Sequence, residues 1–233
     1  MYRAVFFDAF NTLFSLRNHV GESTKRLPMH KGRVSVFLHR FDARLQAAYG
    51  RIRSGAEDEA AALPRFMAAL ADLTGLSTTG PFALLLRTDW LIRYWFSVYA
   101  DVLSTLQDLQ QACTLGVISN AWPQMERFLE LLGISHFFDS VTISAQVGLS
   151  KPDPAIFELA LRNLRIKAEQ AIFVDDMPYN VAAAERMGLR GLWLVRGAGQ
   201  AIAVPPDYRD LTQIHSLHQV VALAKGTPAH VQA

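Results

Sequence analysis

Residues 4–8 of the chain read AVFFD, four apolar residues followed by a carboxylate. The run is short, rich in residues that favour strands, and apolar at every position, so it lacks the alternation of a strand with one face in water. This pattern is typical of a strand that is buried on both faces of a parallel sheet. It predicts a central strand that ends at Asp8, whose carboxylate would be exposed at the edge of the sheet.

Later parts of the chain contain further runs of the same kind. They are LGVI at 115–118, AIFV at 171–174 and GLWLV at 191–195, with a weaker run, VTI, at 141–143. Segments with helical spacing lie between them, and two of these stop at Gly133 and Gly188, as expected of helix C-termini. This alternation predicts an α/β fold, a Rossmann-like parallel sheet of about five strands with helices on both faces.

The stretch that follows the first predicted strand has a different character. Residues 15–99 contain no convincing strand. Helical spacing of apolar residues recurs there and just beyond, at 36–52, 63–73 and 84–109, with a break expected in the last segment near residues 99–101. We therefore predict an α/β core of residues 1–15 and 100–233, with residues 16–99 inserted as a smaller helical cap domain.

The composition excludes some classes of protein. The 233 residues are 51% hydrophobic, enough for a sizeable core, and carry a formal net charge of +2 with a pI of about 8.8. This mild charge, without any block of like charge, argues against a nucleic-acid partner and is compatible with a small anionic substrate. Cys113, the one cysteine, has no second cysteine for a disulfide. We expect no membrane segment, no signal peptide and hence a cytoplasmic location, whereas the oligomeric state stays open.

Four polar segments follow predicted strands, at the edge where open parallel sheets bind their ligands. They are Asp8 with the loop to Leu13, Ser119 with Asn120, the loop 148–154 around Lys151, and Asp175 with Asp176. Taken separately, each of the first three has an ordinary explanation as a helix N-cap, a turn or a solvated lysine. The acidic pair is less ordinary, because adjacent carboxylates at a buried strand end repel each other unless a cation is present, and hard oxygen ligands suit Mg²⁺.

In their order and spacing, these segments resemble the haloacid dehalogenase-like (HAD) hydrolase superfamily. The resemblance covers residues 1–13 and 100 to about 223, and it extends to flanking residues. These are Ser144, Gly148, the run KPDP at 151–154, Ile156, Phe157, Asn180, Ala183, Ala184 and Gly188. The insert after the first segment is similar to the helical cap that one subfamily carries between its first and second motifs.

The resemblance implies a hydrolase in which Asp8 attacks the substrate and forms a covalent aspartyl intermediate. Ser119 and the backbone N–H of Asn120 would bind the transferring phosphoryl group, and Lys151 would offset the charge on Asp8 and the substrate. The resemblance also implies a Mg²⁺ site. Its ligands would be Asp8, the backbone carbonyl of Phe10, Asp176 and, directly or through water, Asp175.

Phe10 departs from the pattern of the phosphatases in this superfamily, which carry an aspartate at that position to protonate the leaving group. Phenylalanine cannot transfer a proton, and such acid–base help is worth about 10²–10⁴ in rate. An aromatic residue here resembles the 2-haloacid dehalogenases, but those work without metal and lack the acidic pair. The sequence thus favours a Mg²⁺-dependent phosphatase of a small phosphate ester. It leaves open a dehalogenase that uses the same Asp8, and a metal-binding protein with little or no turnover.

Overall fold

The structure, a computed structural model, describes residues 2–16, 96–121, 125–196 and 206–226. Contacts between Cα atoms divide the chain into two compact units, one of residues 1–15 and 96–233 and the other of residues 16–95. The predicted helical cap falls almost entirely outside the described residues. The division into a core and a helical cap at residues 16–99 therefore stays a prediction.

Eight strands lie within the described residues. They are β1 (Ala4–Phe7), β2 (Phe14–Leu16), β3 (Phe96–Val98), β4 (Thr114–Ser119), β5 (Ser140–Ile143), β6 (Ala171–Asp175), β7 (Arg190–Leu194) and β8 (Gln213–Ile214). Six of them form one sheet in the order β5-β4-β1-β6-β7-β8, and every neighbouring pair in it is parallel. Strands β2 and β3 form a separate two-stranded sheet. The predicted parallel sheet is confirmed, with six strands rather than about five and with β1 in its interior.

The described helices alternate with the later strands of the large sheet. They are α1 (Val102–Gln110), α2 (Met125–Leu131), α3 (Ser144–Val147), α4 (Pro154–Leu164), α5 (Pro178–Arg186) and α6 (His218–Ala224). Helix α4 begins with Pro154, and the side chain of Asp153 caps it by accepting a hydrogen bond of 2.9 Å from the N–H of Ala155. Gly133 and Gly188 follow α2 and α5 with φ angles of 77° and 89°, as their predicted role at helix C-termini requires.

Both faces of the sheet are buried. Phe6 and Phe173 lie in a core cluster with Phe157 of α4 and Ala183 of α5. Val5, whose side chain points to the opposite face because side chains alternate along a strand, is also fully buried. Helix α1 contacts β4 and packs against α6. The continuously apolar run in β1 is therefore explained by burial on both faces, as its sequence indicated.

The strand order creates a crevice at the end of β1. From β1 the chain moves to β4 and β5 on one side of the sheet, and β6, β7 and β8 lie on the other side. Such a reversal of direction is where open α/β sheets bind ligands. Phe7 pairs with Val117 of β4 and with Val174 of β6. Asp8 and Asp175, each one residue further along, therefore reach the crevice at the same level.

Two details of the fold differ from the sequence prediction. Residues 96–98, within the predicted helical segment 84–109, form β3 instead, whereas the predicted break near residues 99–101 is present and α1 begins at Val102. Strands β2, β3 and β8 were not predicted. They have two or three residues each, too few to display the alternation of a strand or the spacing of a helix. Within the described ranges, no helix is long and apolar enough to cross a membrane.

Candidate functional site

Lys151 lies at the centre of the polar residues at the crevice. Its Nζ atom donates hydrogen bonds to Oδ1 of Asp8 and to Oδ2 of Asp175, each at 2.7 Å. Lys151 is only 3% exposed and Asp175 is fully buried. Buried charges are tolerated only when they are paired and hydrogen bonded, and this lysine satisfies two carboxylates from two different strands. The structure thus brings together three residues that the sequence predicted separately.

Asp8 is buried, with 6% of its surface exposed, whereas the sequence analysis expected an exposed carboxylate. Its backbone N–H continues the sheet by donating to the carbonyl oxygen of Val174 at 2.8 Å. Burial is possible because Lys151 supplies an opposite charge in direct contact. A carboxylate that is buried, oriented by an ammonium group and placed at a strand end is preorganised for attack or for metal binding.

Asp175 and Asp176 differ in how many hydrogen bonds hold their carboxylates. Oδ1 of Asp175 accepts from the N–H of Met177 at 2.7 Å, and its Oδ2 accepts from Lys151 and from Nδ2 of Asn180 at 3.1 Å. Asp176 is half-buried, and its Oδ2 accepts from Nδ2 of Asn11 at 3.0 Å. Both oxygens of Asp175 are therefore held by hydrogen bonds, one of them from Lys151, and Asp176 is the freer of the two to bind an ion.

The carboxylates of Asp8, Asp175 and Asp176 could share one metal ion, because each offers an oxygen and these oxygens lie within 4.8 Å of one another. Burial raises the pKa of Asp8 to about 6, with Lys151 opposing and Asp175 reinforcing the rise. Burial also raises the pKa of Asp176 to about 8, and the charges of Asp175 and Asp8 add to the effect. One lysine thus does not balance three carboxylates. A hard divalent cation such as Mg²⁺ fits this all-oxygen donor set and its excess of negative charge.

Ser119 and Asn120 stand at the end of β4, next to β1. Ser119 is the buried last residue of the strand. The side chain of Asn120 forms two hydrogen bonds with the backbone of Lys151, in which Oδ1 accepts from the N–H and Nδ2 donates to the carbonyl oxygen, both at 2.8 Å. Beyond it, Oγ of Ser144 accepts from the N–H of Ala121 at 3.0 Å. The loop that carries Lys151 is therefore tied directly to the end of β4.

The ring of Phe10 belongs to an aromatic cluster that joins the loop after β1 to β3 and α2. It meets Phe14 and Phe96 edge to face, with ring centroids 5.5 and 6.1 Å apart. Phe96 in turn meets Phe128 of α2, at 4.6 Å. Phe10 itself is half-buried. The residue that departs from the phosphatase pattern is thus fixed by packing against other aromatic rings.

Some residues of the site were not singled out from the sequence. Asn11 has a positive φ of 58°, a conformation in which asparagine is enriched, and this turn brings its amide to Asp176. Trp193 of β7 donates from Nε1 to the backbone carbonyl oxygen of Asp176 at 3.0 Å. The run DAFN gives a weak signal for the turn at Asn11. Nothing local to Trp193 indicates its contact, which depends on the pairing of β6 with β7.

Several curated proteins are similar in sequence to part of this chain. A glyceraldehyde 3-phosphate phosphatase from Methanopyrus kandleri is 37% identical over 109 residues, which make up 44% of this chain and 45% of that protein. A phosphoserine phosphatase from Thermus thermophilus is 36% identical over 105 residues, 44% of this chain and 42% of that protein. An (S)-2-haloacid dehalogenase 2 from a Pseudomonas species is 30% identical over 114 residues, 47% of this chain and 50% of that protein. The chain thus spans about half the length of the curated relatives it matches.

Solved structures match over nearly the whole chain. A HAD phosphatase from Thermococcus onnurineus superposes with a TM-score of 0.65 at 20% identity, over 97% of this chain and 99% of that one. L-2-haloacid dehalogenase from Xanthobacter autotrophicus superposes with a TM-score of 0.63 at 19% identity, again over 97% and 99%. These likenesses establish the fold. The model of the haloacid dehalogenase-like hydrolases matches residues 2–188, and the chain therefore belongs to this family of hydrolases.

Proposed function

We propose that the protein is a Mg²⁺-dependent phosphatase that acts on a small phosphorylated substrate, with Asp8 as the nucleophile. The observation that carries the proposal is the buried contact of Lys151 with both Asp8 and Asp175, beside Asp176. A carboxylate that attacks a phosphate dianion meets like-charge repulsion. This site could overcome that repulsion with two positive charges, the ammonium group of Lys151 and a divalent cation bound by the three clustered carboxylates. Both charges would act on the attacking oxygen and on the phosphoryl group.

Each residue would contribute to a two-step displacement. An oxygen of Asp8 attacks phosphorus, the bond from phosphorus to the leaving group breaks, and water later cleaves the aspartyl-phosphate. Lys151 keeps Asp8 ionised in its buried position and offsets the charge of the phosphoryl oxygens. Ser119 and the backbone N–H of Asn120 would donate hydrogen bonds to those oxygens. Asp175 acts through Lys151, whose ammonium group it orients.

The metal would be bound by Asp8, Asp176 and the backbone carbonyl of Phe10, with Asp175 taking part directly or through water. When bound, Mg²⁺ would neutralise negative charge on the phosphoryl group. Asn11 holds Asp176 by one carboxylate oxygen and leaves the other available as a ligand. The phosphatases among the curated relatives support the same chemistry, and their names span two phosphate monoesters and, in the Bacillus velezensis pyrophosphatase PpaX, an anhydride.

A second candidate is hydrolysis of a carbon–halogen bond by the same Asp8. Phe10 favours it, because an aromatic residue at this position resembles the dehalogenases and because halide needs no protonation when it leaves. The dehalogenase among the curated relatives is consistent with it. Asp176 weighs against it, since a third carboxylate clustered with Asp8 and Asp175 has a purpose in a metal site but none in a displacement that needs no cation.

The decisive experiment measures phosphate release from acetyl and nitrophenyl phosphate, and halide release from a 2-haloacid, with and without Mg²⁺. We expect phosphate release that requires Mg²⁺ and is abolished in Asp8→Asn. The matched control is Asp108→Asn, the same change at an exposed position of α1. Metal-independent halide release would establish the second candidate instead. Phosphate release that survives Asp8→Asn would refute Asp8 as the nucleophile of a phosphatase, and no release of either product would indicate a metal-binding protein without turnover.

A further inference from the structure

In the described part of the chain, the side chains around Asp8 would supply charge but no readily transferable proton once a metal ion holds Asp176 as an ionised ligand. Among the described residues, the carboxylate of Asp8 accepts a side-chain hydrogen bond from Lys151 alone. This ammonium group is buried between Asp8 and Asp175. If it gave its proton to a leaving group, clustered carboxylates would lose their counter-charge in a buried site, which is costly. Lys151 is therefore suited to remain charged rather than to act as a general acid.

The loop that follows Asp8 offers no general acid either. Residues 9–12 read AFNT, none of which is an acid that titrates in the physiological range. Phe10 is fixed against Phe14 and Phe96, and Asn11 uses its amide to hold Asp176. The loop thus contributes the ring of Phe10, which packs against other aromatic rings, and the amide of Asn11, which holds Asp176.

If the leaving oxygen receives no proton, as the described residues around Asp8 indicate, it must depart as an anion. The cost depends on its basicity: a carboxylic acid ionises near pH 4 and a phenol near pH 10, roughly, whereas water ionises only near 15.7. Aliphatic alcohols lie close to water in this respect. A general acid mainly assists the basic leaving groups, by about 10²–10⁴. Acyl and aryl phosphates can therefore dispense with an acid that an alkyl phosphate needs.

We propose that this protein acts on phosphoryl groups attached to weakly basic leaving groups, such as acyl or aryl phosphates, in preference to alkyl phosphates. The inference rests on the proposed phosphatase function. In the first step an oxygen of Asp8 forms a bond to phosphorus, the bond to the leaving oxygen breaks, and that oxygen keeps the electron pair and departs as a carboxylate or phenolate. In the second step water attacks phosphorus, Asp8 leaves as a carboxylate, and the proton of water passes to solvent.

The test compares kcat/KM for acetyl, nitrophenyl, phenyl and ethyl phosphate with Mg²⁺ present, because kcat/KM reports the steps up to departure of the leaving group. We expect acetyl and nitrophenyl phosphate to exceed ethyl phosphate by about 10²-fold or more, which is the contribution of a missing general acid. In Phe10→Asp we expect the ratio of kcat/KM for nitrophenyl phosphate to that for ethyl phosphate to fall by at least about tenfold. In Phe10→Asn, whose side chain has the shape of aspartate but no acidic proton, we expect the wild-type ratio.

The outcomes separate this inference from the proposed function. Turnover of ethyl phosphate within about tenfold of nitrophenyl phosphate would overturn the preference while leaving the phosphatase in place; it would mean that a proton donor reaches the leaving group. No turnover of any of the four phosphates would refute the function itself. The wild-type series decides the matter even if the Phe10 variants fold poorly, which circular dichroism would reveal. If the ratio of kcat/KM for nitrophenyl phosphate to that for ethyl phosphate fell in Phe10→Asn as well, the inference would be contradicted. Loss of the aromatic ring, rather than gain of a proton donor, would then explain the change.

Discussion

The side-chain amide of Asn120 is paired with the backbone of Lys151 on both sides, with Nδ2 to the carbonyl oxygen and Oδ1 to the N–H each at 2.8 Å. Asn120 follows β4, whereas Lys151 lies 31 residues later in the loop before α4. A two-point contact fixes both the position and the orientation of that stretch of backbone. Since the ammonium group of Lys151 extends from this backbone to Asp8, Asn120 aligns the lysine without touching the nucleophile.

Replacing the amide should therefore reduce catalysis more than binding. We predict that Asn120→Asp, which loses the Nδ2 donor and sets a carboxylate against the carbonyl oxygen of Lys151, lowers kcat by about 10²-fold, the typical cost of misplacing a reacting group by about an ångström. Steady-state kinetics on acetyl phosphate would separate kcat from KM. Asn163→Asp, on the exposed side of α4, is the matched control. Wild-type kcat in Asn120→Asp would rule out the aligning role.

Arg196 ties the loop that follows Asp8 to the segment that leads into α1. Nη1 contacts both carboxylate oxygens of Asp101 at 3.0 and 3.2 Å, Nη2 donates to the backbone carbonyl oxygen of Thr12 at 2.7 Å, and the guanidinium lies over the ring of Tyr99 at 3.8 Å. Asp101 also accepts from the N–H of Leu217 at 2.8 Å. Removing Arg196 would thus leave a partly buried carboxylate with fewer partners.

We predict that Arg196→Met lowers the free energy of unfolding by about 2–3 kcal/mol, somewhat less than the cost of breaking a fully buried ion pair, because this pair is only partly buried. Arg196→Lys should lose less, because it keeps the charge but cannot contact Asp101 and Thr12 together. Urea unfolding monitored by circular dichroism gives both values. Arg162→Met removes an exposed arginine from a pair in α4 and should change the free energy of unfolding by less than about 1 kcal/mol. Equal losses in the Arg196 and Arg162 variants would contradict the prediction.

The parts of the site that were predictable from sequence lie at strand ends. Asp8, Ser119 and Asp175 follow or end runs whose apolar character reveals buried strands, and parallel strands bring such residues to one edge of the sheet. Taken alone, Lys151 is explained as a solvated lysine in a turn that the adjacent prolines fix, and only the family resemblance singled it out. Local pattern and topology therefore predict where these residues lie, whereas the resemblance implies their roles.

The remaining features depend on contacts between distant segments. The burial of Asp8 follows from Lys151, which lies 143 residues later, and Trp193 reaches Asp176 only because β6 pairs with β7. The strand β3 forms where a helical pattern was expected, and its Phe96 packs against Phe10 and Phe128. Tertiary packing overrides local propensity in such short segments. The predicted roles of the site residues await the experiments proposed above.

Gly116 of β4 makes room for the ring of Phe6 on the neighbouring strand. A Cβ atom at Gly116 would lie 2.6 Å from Cδ1 of Phe6, and Phe6 is fully buried. We predict that Gly116→Ala lowers the free energy of unfolding by about 1–3 kcal/mol, the usual cost of overpacking a core. Denaturant unfolding of the double variant with Phe6→Leu provides the check, since the smaller side chain should relieve the clash. Additive effects of the two substitutions would show that the close approach is not the cause.

The clustered carboxylates predict how stability depends on pH and Mg²⁺. The pKa of Asp8 rises from 3.8 to about 6 and that of Asp176 from 3.8 to about 8 in the folded protein. At pH values between 3.8 and about 8, the two carboxyl groups bind more protons in the folded chain than in the unfolded chain. The free energy of unfolding of the metal-free protein should therefore fall as pH rises from about 4 to about 8. Mg²⁺ competes with those protons and should bind more tightly at the upper end of this range.

Thermal unfolding with and without Mg²⁺ at pH 5 and pH 8 measures both effects. We expect the increase in Tm on adding Mg²⁺ to be larger at pH 8, because the ion then replaces repulsion between ionised carboxylates rather than displacing protons. Asp176→Asn should raise the Tm of the metal-free protein at pH 8 and reduce its response to Mg²⁺, whereas Asp108→Asn should leave both unchanged. A response to Mg²⁺ that is the same at both pH values, or that persists in full in Asp176→Asn, would show that the ion binds elsewhere.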